Sequence, residues 1–134
     1  LVRGQKIQAI KLLRERTGWS EREVLRRVGA WVVTRGAEGV SITEAGGRRR
    51  DVLAVATDDM VDPTGVGDAF RAGFLAGLAW ELPYERAAQL GCALATSVLE
   101  SVGTQEYKVL PSDVLARIGR SYGPDAAREI GARL

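Results

Sequence analysis

An aspartate follows a glycine-rich turn at residues 62–70, which read Asp-Pro-Thr-Gly-Val-Gly-Asp-Ala-Phe. Gly65 and Gly67 allow the backbone to turn tightly and leave room for a ligand to approach its amides. The apolar residues after Asp68 predict a helix, whose first N–H groups lack intrahelical partners and lie at its positive dipole end. Such a helix start favours an anion, for example a phosphate group. Asp68 could take a proton from a hydroxyl that attacks this phosphate, so the pattern indicates phosphoryl transfer.

Structural explanations of the same stretch stay open on these residues alone. It is not a Walker A motif, because no Gly-Lys-Ser/Thr follows, and Phe70 occupies the third glycine position of a dinucleotide fingerprint. Asp68 could simply cap the helix, since an N-cap aspartate stabilises a helix by about 1 kcal/mol. Asp62 has a structural role of its own as an Asp-Pro-Thr turn former.

Composition sets the broad class of the chain. Its 134 residues are 46% hydrophobic and 27% charged, which is ordinary for one globular domain. No apolar run reaches the roughly 18 residues of a membrane helix, and the N-terminus lacks the apolar core of a secretory signal. A single cysteine, Cys92, suits a reducing compartment, so we expect a cytoplasmic protein with Cys92 packed in the core.

Charge and histidine content narrow the chemistry. The sequence has no histidine, which excludes Ser-His-Asp catalysis and histidine-ligated zinc, so a base must be a carboxylate, lysine, tyrosine or the N-terminal amine. The net charge of +2 is too small to indicate binding to nucleic acid. The three arginines at residues 48–50 follow a Gly-Gly turn and are typical of a solvated hairpin shoulder.

Apolar periodicity and turn signals predict the order of elements. Helices are predicted over residues 5–16, from a capping box at 20–23 to about 28, and then over 66–79, 84–100, 111–121 and 124–132. Strands are predicted over residues 30–34, 40–43 and 50–56, the first two as a hairpin. A short sheet followed by packed helices indicates part of a layered α/β fold. The uncovered sheet edges suggest a missing half or a homo-oligomer.

Three motifs make the chain resemble the ribokinase-like (pfkB) carbohydrate kinases. The stretch at residues 62–70 resembles the second signature of that family. Thr-Arg-Gly-Ala-Glu-Gly at residues 34–39 resembles its strand-end Thr-x-Gly-x-x-Gly element, and Gly-Thr-Gln at residues 103–105 matches a later loop. The order and spacing agree across about residues 12–131. Residues 70–74 and 99–107 look especially similar to bacterial, actinobacterial-type adenosine kinases.

This resemblance implies an ATP-dependent kinase of purine salvage. Such a kinase would act on a primary hydroxyl of a nucleoside or sugar, with conversion of adenosine to AMP as the first expectation. Residues 1–134 would be the C-terminal, ATP-binding and catalytic portion of the ribokinase-like layered fold, without the N-terminal substrate and lid half. The start without methionine fits a fragment or a trimmed chain. In that family Asp68 would be the catalytic base, and the amides of Gly65, Val66 and Gly67 would form the anion hole.

The resemblance also implies cofactor contacts. Thr34, Gly36 and Gly39 would lie along the nucleotide, with the glycines allowing close approach. Asp62 and Thr64 resemble the family's monovalent-cation region, where K⁺ would bind. ATP would be used with Mg²⁺. The Asn-x-x-Glu motif that helps to hold magnesium falls near residues 6–9, however, where the sequence does not match it.

A second hypothesis follows from this mismatch and from the absent half. The chain would then be a noncatalytic nucleotide-binding or oligomerising remnant of such a kinase. Glu100, next to the loop at residues 103–105, shows no proton-transfer partner in the sequence.

Overall fold

The computed structural model describes residues 12, 14–101 and 108–134. The chain divides into two compact units, Leu1–Val52 and Leu53–Leu134. Most of the helix predicted over residues 5–16 lies outside the described residues, as does the loop at residues 103–105, although residues 14–17 are helical. In the part of the chain that the structure describes, no helix is long and apolar enough to cross a membrane.

In the first unit a short helix leads into a meander of strands. Helix α1 covers Glu21–Val28, and the antiparallel strands are β1 (Ala30–Thr34), β2 (Val40–Glu44) and β3 (Arg49–Val52), in the order β1-β2-β3. The Glu23 N–H donates to Ser20 Oγ at 3.2 Å, which is one half of the predicted capping box. The Glu23 carboxylate accepts hydrogen bonds from Arg26 and Arg27. Strands β1 and β2 form the predicted hairpin, in which Thr34 is paired with Val40.

Strand β3 differs from its prediction at both ends. It covers Arg49–Val52 rather than residues 50–56. The backbone beyond it bonds to helical side chains instead of a strand, because the Leu53 carbonyl accepts the Tyr122 hydroxyl at 2.6 Å and the Val55 carbonyl accepts the Thr96 hydroxyl at 3.3 Å. Arg49 lies exposed and donates to Asp51 and Ser41, as expected of a solvated hairpin shoulder.

The second unit consists of packed helices. They are α2 (Val66–Ala79), α3 (Tyr84–Leu99), α4 (Pro111–Tyr122) and α5 (Pro124–Gly131), so each predicted helix in this unit is confirmed with its ends within a residue. Helices α4 and α5 both begin with proline, whose missing N–H costs nothing at that position. The buried apolar core includes Phe70, Ala88, Leu90, Ala93, Val98, Ile118 and Ile130.

Helices α2 and α3 cross at glycines, which bring their backbones together. A Cβ on Gly91 would lie 2.8 Å from both the carbonyl oxygen and the ring of Phe70, and a Cβ on Gly73 would lie 2.9 Å from the Gly91 Cα. These neighbours include backbone atoms, which cannot move aside cheaply. Gly91→Ala should therefore lower the free energy of unfolding by about 1–3 kcal/mol, as overpacking does.

Urea denaturation of the Gly91→Ala variant would measure this loss. Gly119→Ala is the matched control, because a Cβ on Gly119 would make an ordinary 3.6 Å contact with Ala127. Alanine is a better helix former than glycine, so the control should be equal to wild type or more stable. Equal stabilities of the two variants would contradict the close helix crossing.

Cys92 lies in the core, as predicted, with 5% of its surface exposed. Burial raises the pKa of its thiol from 9.0 to about 11, because the thiolate would lose its hydration. Because the pKa of this thiol is higher in the folded protein than in the unfolded chain, its contribution to stability is complete when the pH is below the unfolded-state pKa. This contribution is lost as the pH rises through the folded-state pKa. The free energy of unfolding should therefore fall by about 2–3 kcal/mol between about pH 9 and pH 11.

Denaturation curves collected at several alkaline pH values would measure this loss. Burial also raises the pKa of Tyr122, so the wild-type slope has to be compared with that of Cys92→Ala. The variant should show a shallower loss of stability above pH 9. If the free energy of unfolding fell equally steeply with pH in wild type and in Cys92→Ala, groups other than Cys92 would cause the loss of stability at alkaline pH.

Candidate phosphate-binding site

The phosphate loop, residues 62–68, forms the start of helix α2. Gly65 is the N-cap residue and has φ 82° and ψ −3°, a left-handed conformation that disfavours residues with a Cβ. Asp62 Oδ1 accepts the Thr64 N–H at 2.8 Å, which confirms the predicted Asp-Pro-Thr turn. The Val66 N–H donates to the Pro63 carbonyl at 3.3 Å and closes the next turn. Local hydrogen bonds thus fold the loop against the helix start.

Backbone amides at this helix start are available to a ligand. Among the hydrogen bonds between described residues, none uses the N–H of Gly65, Gly67 or Asp68. Gly67 is exposed, and a Cβ built on it would meet nothing within 4 Å. Val66 differs from its neighbours because its amide already has the Pro63 carbonyl as acceptor. Open space beside unpartnered amides at a positive dipole end fits a phosphate group.

Asp68 lies within the first turn of helix α2 rather than at its cap. Since Gly65 is the N-cap residue, the explanation of Asp68 as a capping residue is wrong. Its side chain is 83% exposed and accepts a hydrogen bond from Arg71 Nη1 at 2.5 Å. An ion pair this exposed adds little stability. The first turn of helix α2 therefore carries a solvent-accessible carboxylate, at Asp68, close in the chain to the amides of Gly65 and Gly67.

The segment before the loop is tied to the end of helix α3. The Leu99 carbonyl accepts the Val61 N–H at 2.9 Å and the Asp62 N–H at 3.2 Å. These bonds satisfy a carbonyl that helix geometry leaves without an intrahelical partner. The end of helix α3 thereby fixes where the phosphate loop begins.

Glu100, which immediately follows helix α3, has partners that sequence reasoning did not find. Its carboxylate accepts hydrogen bonds from Arg117 Nη1 at 2.9 Å, Arg117 Nη2 at 2.6 Å and the Thr57 hydroxyl at 2.7 Å. The Arg117 guanidinium, followed by the Thr57 hydroxyl, holds the pKa of Glu100 below its usual range. Thr57 lies 43 residues before Glu100 and Arg117 lies 17 residues after it. No periodic pattern in the sequence could have indicated this cluster.

In the first unit, the predicted nucleotide element forms the tight connection between β1 and β2. Thr34 ends strand β1 with a half-buried side chain, and a 3₁₀ turn covers Gly36–Glu38. The Arg35 N–H donates to the Gly39 carbonyl at 2.7 Å, and the Gly39 N–H donates to the Gly36 carbonyl at 3.0 Å. A Cβ on Gly36 would meet nothing within 4 Å, so this surface is open to a ligand.

Metal-binding residues are sparse in what the structure describes. Within residues 12, 14–101 and 108–134, no group of three or more His, Cys, Asp or Glu side chains could hold a metal ion. Residues 6–9, where the family's magnesium motif would fall, lie outside that range. The described residues thus fit a phosphate group better than they fit a dedicated site for Mg²⁺.

Known proteins share both the sequence and the fold of this chain. A profile of the pfkB family carbohydrate kinase matches residues 6–111. The cytidine kinase of Thermococcus kodakarensis is 42% identical over 72 residues, which cover 54% of this chain and 26% of that protein. The chain therefore spans about a quarter of the length of this curated relative.

Solved structures agree with this match. The nucleoside kinase of Burkholderia thailandensis in complex with inosine superposes with a TM-score of 0.74 at 33% identity, over 87% of this chain and 38% of that one. The nucleoside kinase of Methanocaldococcus jannaschii, an archaeal member of the ribokinase family, superposes with a TM-score of 0.71 at 27% identity, over 82% of this chain and 36% of that one. The fold is thus ribokinase-like, and the chain belongs to the pfkB family of carbohydrate kinases.

Proposed function

We propose that the protein carrying this chain transfers the γ-phosphoryl group of ATP to a primary hydroxyl of a nucleoside. The observation that supports this most directly is that one helix start carries both the exposed carboxylate of Asp68 and the amides of Gly65 and Gly67, which have no acceptor among the described residues. A base and an anion site this close together suit phosphoryl transfer, in which catalysis is mostly positioning and electrostatic stabilisation.

Each part of the loop has a distinct role in this proposal. Asp68 accepts the proton of the attacking hydroxyl, which requires its carboxylate to turn from Arg71 toward the substrate. The N–H groups of Gly65 and Gly67 donate to the oxygens of the transferred group, where negative charge is spread in the transition state. Val66 contributes its amide if the 3.3 Å bond to Pro63 opens.

The β1–β2 connection in the first unit is proposed to contact the nucleotide. Thr34, Gly36 and Gly39 contact ATP in this proposal, and the open surface at Gly36 supports it. Mg²⁺ bound to ATP would neutralise charge on the phosphates. Asp62 and Thr64 are proposed to lie beside K⁺.

The proposed substrate is a nucleoside, with adenosine first. Relatives of this chain include a cytidine kinase and a nucleoside kinase seen with inosine, so both pyrimidine and purine nucleosides are acted on or bound by similar proteins. Adenosine is preferred because residues 70–74 and 99–107 resemble adenosine kinases. Inosine and cytidine are the competing substrates.

Two measurements test this function. Calorimetric titration of the chain with ATP and Mg²⁺ should show binding, and the protein carrying the chain should phosphorylate adenosine faster than inosine, cytidine or ribose. Faster transfer to cytidine or inosine would replace adenosine but keep the nucleoside. ATP binding without transfer to any acceptor would favour a noncatalytic remnant, and the absence of both would reject the kinase.

A further inference from the structure

A half-buried ion pair joins helix α4 to Glu100, the residue that follows helix α3. Arg117, on helix α4, donates from both terminal nitrogens to the two carboxylate oxygens of Glu100. The two side chains are 20% and 26% exposed. Paired parallel bonds between guanidinium and carboxylate fix orientation as well as distance, and partial burial limits screening by solvent. This pair is thus a more rigid connection than the exposed pair of Asp68 and Arg71.

The same carboxylate also holds the approach to the loop. Glu100 Oε1 accepts the Thr57 hydroxyl, and the Thr57 hydroxyl oxygen in turn accepts the Asp59 N–H at 3.1 Å. Adjacent to Glu100, the Leu99 carbonyl accepts the Val61 and Asp62 amides. Leu99, which ends helix α3, and Glu100, which follows it, therefore both bind this segment.

The chain of contacts continues into the phosphate loop itself. Asp62 Oδ1 accepts the Thr64 N–H, and Thr64 immediately precedes Gly65, the N-cap residue of helix α2. A displacement of residues 57–62 would therefore move the turn that orients the Gly65 and Gly67 amides.

We infer that Arg117 and Glu100 are positioning residues for phosphoryl transfer, which act by holding residues 57–62 and, through them, the phosphate loop. This inference rests on the proposed function of that loop. Without Arg117, the Glu100 carboxylate would lose its charged partner in a partly buried place and would turn toward solvent. Thr57 would then lose its acceptor, while the bonds from Val61 and Asp62 to the Leu99 carbonyl would remain.

A second ion pair in the same unit provides the control. Arg86 donates to Glu129 at 2.9 Å and 3.3 Å, and its side chain is 19% exposed. This pair joins helices α3 and α5 and forms no hydrogen bond to residues 57–62 in the described part of the chain. Arg117→Met and Arg86→Met thus remove comparable pairs and keep an apolar side chain.

Kinetics with ATP and the nucleoside acceptor give the first readout. Arg117→Met should lower kcat by about ten- to a hundredfold, because misplaced groups weaken the transition state, with KM for ATP changed less than about threefold. Arg86→Met should leave kcat within about twofold of wild type. Arg117→Lys should lie between wild type and Arg117→Met, because lysine keeps the charge and loses the paired geometry.

Amide hydrogen exchange gives a readout that does not depend on turnover. Exchange at Val61 and Asp62 should quicken in Arg117→Met and stay as in wild type in Arg86→Met. If Arg117→Met unfolds, Glu100→Gln provides the same test. The amide of glutamine keeps the length of the side chain and one oxygen acceptor, but it lacks the charge that pairs with Arg117. Urea midpoints of all variants would separate local opening from global instability.

The outcomes separate this inference from the proposed function. Equal exchange at Val61 and Asp62 in Arg117→Met and Arg86→Met would overturn it, as would faster exchange with an unchanged kcat. If the wild-type protein transfers no phosphate, the proposed function fails, and exchange alone then decides whether Arg117 holds this segment.

Discussion

Asparagine in place of Asp68 should lower kcat for phosphoryl transfer by about 10²- to 10⁴-fold, which is the usual contribution of general base catalysis. Asparagine keeps the size of the side chain and one oxygen but cannot accept the hydroxyl proton. Because Asp68 is 83% exposed and pairs with Arg71 on the helix surface, its loss should hardly change the free energy of unfolding. Steady-state kinetics with ATP and the nucleoside, together with thermal unfolding, would measure both effects.

The matched control for this experiment is Asp125→Asn. Asp125 lies in the first turn of helix α5, is 69% exposed and pairs with Arg128 three residues later at 2.9 Å. This arrangement repeats the arrangement of Asp68 and Arg71 without the glycine-rich loop. The control should keep wild-type kcat. Similar losses of kcat in Asp68→Asn and Asp125→Asn would indicate a general effect of charge near a helix terminus. Wild-type kcat in Asp68→Asn would reject Asp68 as the catalytic base.

Alanine in place of Gly67 should separate function from folding. The residue is helical and exposed, and a Cβ there would meet nothing within 4 Å. The free energy of unfolding should therefore stay equal or rise by up to about 1 kcal/mol, because alanine is a better helix former than glycine. Phosphoryl transfer should nevertheless fall by about 100-fold, since the methyl group would occupy space that the transferred phosphate needs.

Two other glycine variants complete this comparison. Gly119→Ala makes the same helical change away from the loop and should keep wild-type kcat. Gly65→Ala should lower both kcat and stability, by about 1–2 kcal/mol for the latter, because φ at Gly65 is 82°. Urea denaturation and kinetics would be measured on each variant. Full turnover by Gly67→Ala would show that the phosphate does not approach this amide.

Local signals explain why much of the second unit was predictable. Pro111 and Pro124 each mark a helix start, and Gly65 marks the start of helix α2, because these effects depend on backbone geometry within one turn. The Asp62 turn was also predictable, since its hydrogen bond joins residues two positions apart. Family motifs added the proposed role of Asp68.

Errors arose where a side chain distant in sequence determines the backbone. Strand β3 was predicted to continue to residue 56, because Val55 continues an apolar alternation. It ends at Val52, and the Leu53 and Val55 carbonyls bond to Tyr122 and Thr96 instead. The tyrosine lies 69 residues from its acceptor, which is beyond the reach of any periodic pattern.

At the candidate site, the roles of Asp68 and Glu100 also depended on information that the sequence does not contain. The sequence left Asp68 as either a cap or a base, and the left-handed backbone of Gly65 removed the first explanation. The sequence indicated no partner for Glu100. In the structure, tertiary packing brings Arg117 and Thr57 within hydrogen-bonding distance of its carboxylate.

The sequence by itself determined the helices of the second unit, the β1–β2 hairpin, the glycine-rich loop and the family, because these follow from residues close together in the chain. Only the tertiary structure decided that Asp68 is exposed, and that the Leu99 carbonyl and the Glu100 carboxylate bind the segment before the loop. Leu99 lies 37 and 38 positions from Asp62 and Val61, and Glu100 lies 43 positions from Thr57, so packing alone brings these groups within hydrogen-bonding distance.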